Sequence, residues 1–195
     1  IYNLYWGPRS RAKAIPLLKR LLLNELPPPA NILDLCCGSG HVTQALIEEG
    51  YKVTGLDGSG ELLKFAKANA PEARFVLDDA RSFRLSSDFD AVICLNDSLN
   101  HVMKLEEIQR VFQNVFLALR KGGVFLFDLN LPHKYVTSWV GSFAIVERDH
   151  VCAIQTHVDL EKKVADFVAA MFFQRNNQWE RSDVTFYQTW FEVSE

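Results

Sequence analysis

Apolar residues recur at helical spacing from Arg9 to Asn24, where leucines and an isoleucine alternate with basic side chains, and Pro27-Pro28-Pro29 stops the run. The spacing predicts an amphipathic opening helix. A short, almost wholly apolar run follows at Asn31 to Leu35, then Gly38-Ser39-Gly40 and a second helical stretch from His41 to Glu49. That is a buried strand, a tight loop and a helix. The pattern continues with strands at Tyr51 to Leu56, Arg74 to Leu77, Phe89 to Leu95 and Val124 to Leu129. Helices are expected at Ser59 to Ala70 and Leu105 to Arg120, the latter closed by Gly122-Gly123. Strands alternating with helices pair in parallel, because the crossover needs a helix, and right-handed crossovers give a doubly wound α/β sheet.

Past Pro132 the period changes to two. Cys152, Ile154, Thr156 and Val158 share one face of a run; Phe167, Ala169, Met171 and Phe173 share a face of the next, and Val184, Phe186, Gln188 and Trp190 of a third. Glu161-Lys162-Lys163 and Asn176-Asn177 supply polar turns, so an antiparallel meander of three or four strands is expected from about Phe143 to Phe191. Two regions result: 1–132, an alternating α/β domain, and 133–195, a meander that is either a lid over a pocket or an oligomer interface.

Composition narrows the function classes. With 195 residues the chain has room for one sizeable core and a small lobe. The net charge of −3 comes from 21 basic and 24 acidic residues with no polybasic run, which argues against a nucleic-acid partner. No apolar run approaches the roughly 20 residues that span a bilayer. Cys36, Cys37, Cys94 and Cys152 fall mostly in strand interiors and ends, as expected of reduced thiols in a cytoplasmic protein. No secretory leader pattern opens the chain, which begins at Ile1 rather than Met.

The chemistry concentrates at strand ends. Asp34-Leu35-Cys36-Cys37-Gly38-Ser39-Gly40 lies where the first strand meets its helix; glycines there allow a sharp turn and close ligand approach to bare peptide, and the helix offers unpaired N–H donors. Asp57 ends the second strand nineteen residues after Gly38, where a carboxylate accepts ribose hydroxyls. These two features suit NAD as well as S-adenosylmethionine. The dinucleotide fingerprint, however, wants a third glycine where Thr43 stands, and does not require the acid present at Asp34.

In order along the chain, the Asp34 to Gly40 loop, Asp57, Asp79 in Leu77-Asp78-Asp79-Ala80-Arg81, the loop Asn96-Asp97-Ser98-Leu99-Asn100-His101, and Leu119 to Gly123 resemble the motifs of class I S-adenosylmethionine-dependent methyltransferases. The opening Tyr2-Asn3 to Trp6-Gly7 is similar to bacterial small-molecule members. The resemblance covers about residues 1–132. It implies a Rossmann-like sheet in the order 3-2-1-4-5 and S-adenosylmethionine as cofactor. Asp34 would lie near the methionine amino group, Gly38, Ser39 and Gly40 along the methionine and ribose, and Cys36 in the loop lining. Asp57 with Gly58 would meet the ribose, Asp79 and Ala80 the adenine, Asn96 the methionine end, and Tyr5 would serve as a cover. Members of the family continue with a helix and an antiparallel pair, whereas this chain ends at Glu195 after an aromatic strand, so an uncovered sheet edge is expected.

A sulfonium methyl is already activated, so in-line transfer needs alignment first and a base only for a protonated acceptor. The histidines at 41, 101, 133, 150 and 157 and the cysteines show no zinc spacing, and no metal is expected. His101, then Asp97, are the candidate acid/base groups, from the loop after the fourth strand. The acceptor is expected to be a small molecule, by analogy an amine. The alternatives are an NAD-binding oxidoreductase and a non-catalytic S-adenosylmethionine-binding protein.

Overall fold

The computed structural model describes residues 1–139 and 141–192. They divide into two compact units, one of residues 1–99 and 106–128, the other of 100–105 and 129–195.

The first unit opens with α1 (Tyr2–Leu21) and runs β1 (Asn31–Leu35), α2 (His41–Glu48), β2 (Lys52–Asp57), α3 (Gly60–Asn69), β3 (Arg74–Leu77), β4 (Phe89–Cys94), α4 (Leu105–Ala118) and β5 (Leu119–Phe127). All five strands pair in parallel in the order β3-β2-β1-β4-β5, as the alternation implies. Ile32, Leu33, Leu35, Leu56, Val92 and Ile93 are sealed from solvent, because central parallel strands carry helices on both faces. The edge strand β3 keeps Leu77 63% exposed.

α1 begins seven residues earlier than its apolar spacing suggests and contains Pro8 and Pro16. Its buried stripe, Gly7, Ala14 and Leu18, begins on two small residues, which explains the short reading from leucines alone. Gly7 is there for closeness: a β-carbon on it would fall 2.3 Å from Nδ1 of His41 at the start of α2. β5 also departs from expectation. Leu119 pairs with Phe89, the register then slips across Arg120 to Gly123, and Val124 to Phe127 pair with Ala91 to Cys94. The glycine pair is therefore a bulge inside the strand rather than a turn before it, and the strand ends at Phe127 rather than Leu129.

The second unit contains α5 (Pro132–Thr137), β6 (Gly141–Val146), β7 (His150–Asp159), β8 (Val164–Arg175) and β9 (Gln178–Thr189), the strands forming one antiparallel sheet in sequential order. The sheet has four strands, the upper of the two counts that alternation allows. Asn176 and Asn177 both take left-handed angles, φ +50° and +61°, as a two-residue hairpin of the right twist requires. Helix α5 is not visible in the period-two pattern. Pro132 starts it at the position where a missing N–H is harmless, and it delivers the fully buried Tyr135, stacked on Trp190 at 4.7 Å.

Candidate functional site

The site is assembled where β1, β2 and β4 end, the crevice that parallel sheets of this order leave at their carboxyl ends. A cleft there is lined by Tyr2, Asp34, Cys36, Cys37, Ser39 and Asn96, with Gly7, His41 and Ser98 among its further walls. The loop after β1 is built from left-handed residues: Cys36 at φ +60°, Gly38 at +57° and Gly40 at +75°. Gly40 precedes α2 so tightly that a β-carbon would meet Ala66 at 2.9 Å. Gly38 is buried beneath Tyr2, whose ring edge and hydroxyl lie 3.3 Å from where a side chain would begin.

Two carboxylates organise this loop. Asp57 accepts the Gly38 amide on one oxygen and the Ser59 amide on the other, both at 2.8 Å, tying the end of β2 to the glycine loop and leaving each oxygen a free lone pair. Asp34, 4% exposed, accepts the Thr43 hydroxyl at 2.6 Å. The threonine standing where a dinucleotide fingerprint has glycine thus holds the carboxyl at the cleft floor. Burial pushes the Asp34 carboxyl up to about 7, the Thr43 bond opposing and the nearby Asp57 adding to the rise. The Tyr2 phenol is raised to about 12, by burial first and then by Asp57, Asp97 and Asp34. His41 is held below its usual value by burial and by Arg11. Among the described lining residues there is no lysine or arginine.

The other residues singled out from sequence are placed as follows. Gly58 follows Asp57, its would-be side chain 3.8 Å from the Asp78 carbonyl. Asp79 is held by Arg81, whose Nη2 donates to it at 2.6 Å and keeps the carboxyl below its ordinary range; the buried Ala80 gives its carbonyl to Asn114 at 3.1 Å. Asn96 and Asp97 are both left-handed, φ +61° and +51°. Tyr5 is half-buried and does not line the cleft; Tyr2, one turn earlier on α1, does. His101 belongs to the second unit, where its Nδ1 donates to the Tyr187 carbonyl at 2.8 Å, leaving Nε2 to accept from the Gln188 amide at 3.2 Å. Two residues escape a reading of the sequence. Tyr2 lies off the Gly7-Ala14-Leu18 stripe that the spacing of α1 buries, and Asp128 gives no signal because it works on a backbone amide.

The cleft chemistry favours a cation. Asp34 lines the cleft, Asp57 and Asp97 lie close enough to perturb Tyr2 there, and among the described lining residues no lysine or arginine answers them. A pyrophosphate would be repelled there, whereas a sulfonium and an ammonium are complementary. Residues 32–123 match the family profile described as "Methyltransferase domain". The Bacillus subtilis methyltransferase-family protein YqeM is 31% identical over 176 residues, which cover 88% of this chain and 71% of that protein. The chain belongs to the S-adenosylmethionine-dependent methyltransferases. A Saccharopolyspora spinosa relative, named as a dTDP-4-amino-2,3,4,6-tetradeoxy-D-glucose N,N-dimethyltransferase, is 26% identical, with 85% of this chain and 68% of that protein aligned. The crystal structure of a methyltransferase from Clostridium acetobutylicum shares the fold with a TM-score of 0.75 at 18% identity, covering 94% of this chain and 82% of that one. S-adenosylmethionine is the cofactor of this family.

Proposed function

We propose that this methyltransferase transfers its methyl group to the nitrogen of a small amine, with the amino group of a sugar nucleotide as the leading acceptor class. The observation that carries the cofactor assignment is Asp34 on a cleft whose described lining holds no lysine or arginine; the acceptor class is supported by the relative from Saccharopolyspora spinosa. S-adenosylmethionine supplies, when bound, a methyl already activated on a sulfonium. Asp34 receives the cofactor's ammonium, the backbone from Gly38 to Gly40 borders its methionine and ribose, and Asp57 accepts the ribose hydroxyls. Ser39, Cys36 and Asn96 complete the walls, Asp79 and Ala80 with Gly58 border the adenine end, and Tyr2 closes the cleft in the place expected of Tyr5.

An amine attacks only when unprotonated, so orientation carries most of the catalysis and a base assists where the acceptor arrives charged. His101 is the candidate base, with Asp97 second. Its Nδ1–H tautomer, fixed by Tyr187, leaves Nε2 as the accepting nitrogen, which must exchange the Gln188 amide for the acceptor's proton. The formal charge of −3 supports small molecules over nucleic acid, and four free thiols support a cytoplasmic setting. The comparisons lend no support to an oxidoreductase or a non-catalytic binder. Calorimetric titration with S-adenosylmethionine and, separately, NAD tests the reading: saturable binding of the first and none of the second is expected, and the reverse would refute it.

A further inference from the structure

Asp128 follows β5 and takes no part in the cofactor contacts described above. Its backbone N–H continues the ladder to the Cys94 carbonyl at 3.3 Å, which fixes where the side chain starts. The half-buried carboxylate then accepts the Asp97 amide on both oxygens, at 3.3 and 3.2 Å. Asn96 and Asp97 are the two consecutive left-handed residues that end β4, an arrangement that costs non-glycine residues on the order of 1 kcal/mol each and that Asn and Asp tolerate best. One N–H shared between both oxygens of a carboxylate ties this turn to the residue after β5, both in the same unit. The turn so held supplies Asn96 and Ser98 to the cleft wall, and Ser98 is itself pinned by its hydroxyl to the Leu95 carbonyl at 2.8 Å.

We propose that Asp128 is a positioning residue for methyl transfer: its carboxylate clamps the Asn96-Asp97 turn in the left-handed conformation and so sets the cleft wall at the methionine end of the cofactor. The inference rests on the reading of this cleft as the cofactor site. The carboxylate does not touch the reacting atoms; it acts through the turn. A charged hydrogen-bond acceptor is stronger than a neutral one, so Asp128→Asn, which keeps the size and loses the charge, weakens the clamp without opening a cavity.

The test is a double-mutant cycle. Glycine adopts positive φ without strain, so the turn needs its clamp least in the Asn96→Gly, Asp97→Gly background. Asp128→Asn in the otherwise native chain is expected to lower kcat at least tenfold, with a melting temperature within a few degrees of the parent. In the glycine background the same change is expected to cost less than threefold relative to that background. In parallel, the Asp97 amide proton, followed by ¹H–¹⁵N NMR, is expected downfield in the parent and shifted upfield in Asp128→Asn. This readout needs no activity, and Asp128→Glu serves in both assays if the Asn variant fails to fold. A loss that persists undiminished in the glycine background, or an Asp97 amide indifferent to residue 128, overturns the clamp while leaving the site reading intact. If the amide responds but turnover and S-adenosylmethionine affinity are unchanged in every variant, the turn does not border the cofactor and the site reading fails, taking the proposal with it.

Discussion

Asp34 makes cofactor binding depend on pH in a way that can be worked through from its surroundings. Its carboxyl titrates near 7 instead of 3.8, because burial penalises the charge more than the Thr43 hydroxyl relieves it. A rise of about three units corresponds to ~4 kcal/mol against ionising Asp34 in the ligand-free cleft. If the ionised carboxylate receives the cofactor's ammonium, the observed Kd scales as one plus the ratio of protonated to ionised Asp34. The ratio is about 0.1 at pH 8 and about 10 at pH 6, so binding should weaken roughly tenfold over that interval and release close to one proton per site at pH 6. The stability effect has the opposite sign. A carboxyl whose folded pKa lies above its unfolded value favours the fold fully below pH ~4, and that contribution is lost as pH rises through 7. Asp34→Asn should therefore raise the melting temperature of the ligand-free protein at pH 8, by a few degrees per kcal/mol relieved. It should also weaken S-adenosylmethionine by ~1.5–3 kcal/mol at that pH and abolish the pH dependence. Calorimetry in two buffers of different ionisation enthalpy, together with thermal melts, reads all of these. A Kd constant from pH 8 to 6, or a destabilised Asp34→Asn at pH 8, would refute the reasoning.

Asp57→Ala removes the shared acceptor of the Gly38 and Ser59 amides as well as the ribose partner, so S-adenosylmethionine affinity should fall by ~1.5–3 kcal/mol in calorimetry. His101→Asn should leave cofactor affinity nearly unchanged and lower turnover on the order of 10²-fold if His101 is a general base; a loss below tenfold would mark it as an anchor for Tyr187 and Gln188. Gly40→Ala combines a left-handed φ of +75° with a 2.9 Å clash against Ala66, so urea denaturation should show a destabilised protein and calorimetry a weakened cofactor site; native stability would contradict the packing described for the loop.

The parallel core was legible because each of its strands is a short apolar run closed by Gly, Pro or a polar pair: Asn31–Leu35 and Arg74–Leu77 have the boundaries that their composition implies. The hairpins at Lys163 and Asn176-Asn177 were legible for the same reason, since those residues tolerate positive φ. What escaped was structure set by tertiary contact. Helix α5 exists because Tyr135 finds Trp190 and Trp139 to pack against, which no local period announces. The slip in β5 goes with Gly123, where a β-carbon would fall 3.0 Å from the Phe89 carbonyl, a matter of tertiary contact rather than of pattern. At the cleft, acids at strand ends could be read from spacing. Which aromatic residue of α1 faces Gly38 could not, because none of Tyr2, Tyr5 and Trp6 lies on the buried Gly7-Ala14-Leu18 stripe of the helix.

The measurement that tests the account most directly is transfer of label from methyl-labelled S-adenosylmethionine across amino-sugar nucleotides, other small amines, phenols, peptides and tRNA, with and without chelator, the products identified by mass. The account predicts methylated nitrogen on an amino-sugar nucleotide, undiminished by chelator; label on tRNA or protein alone, or activity lost with removal of metal, would contradict it.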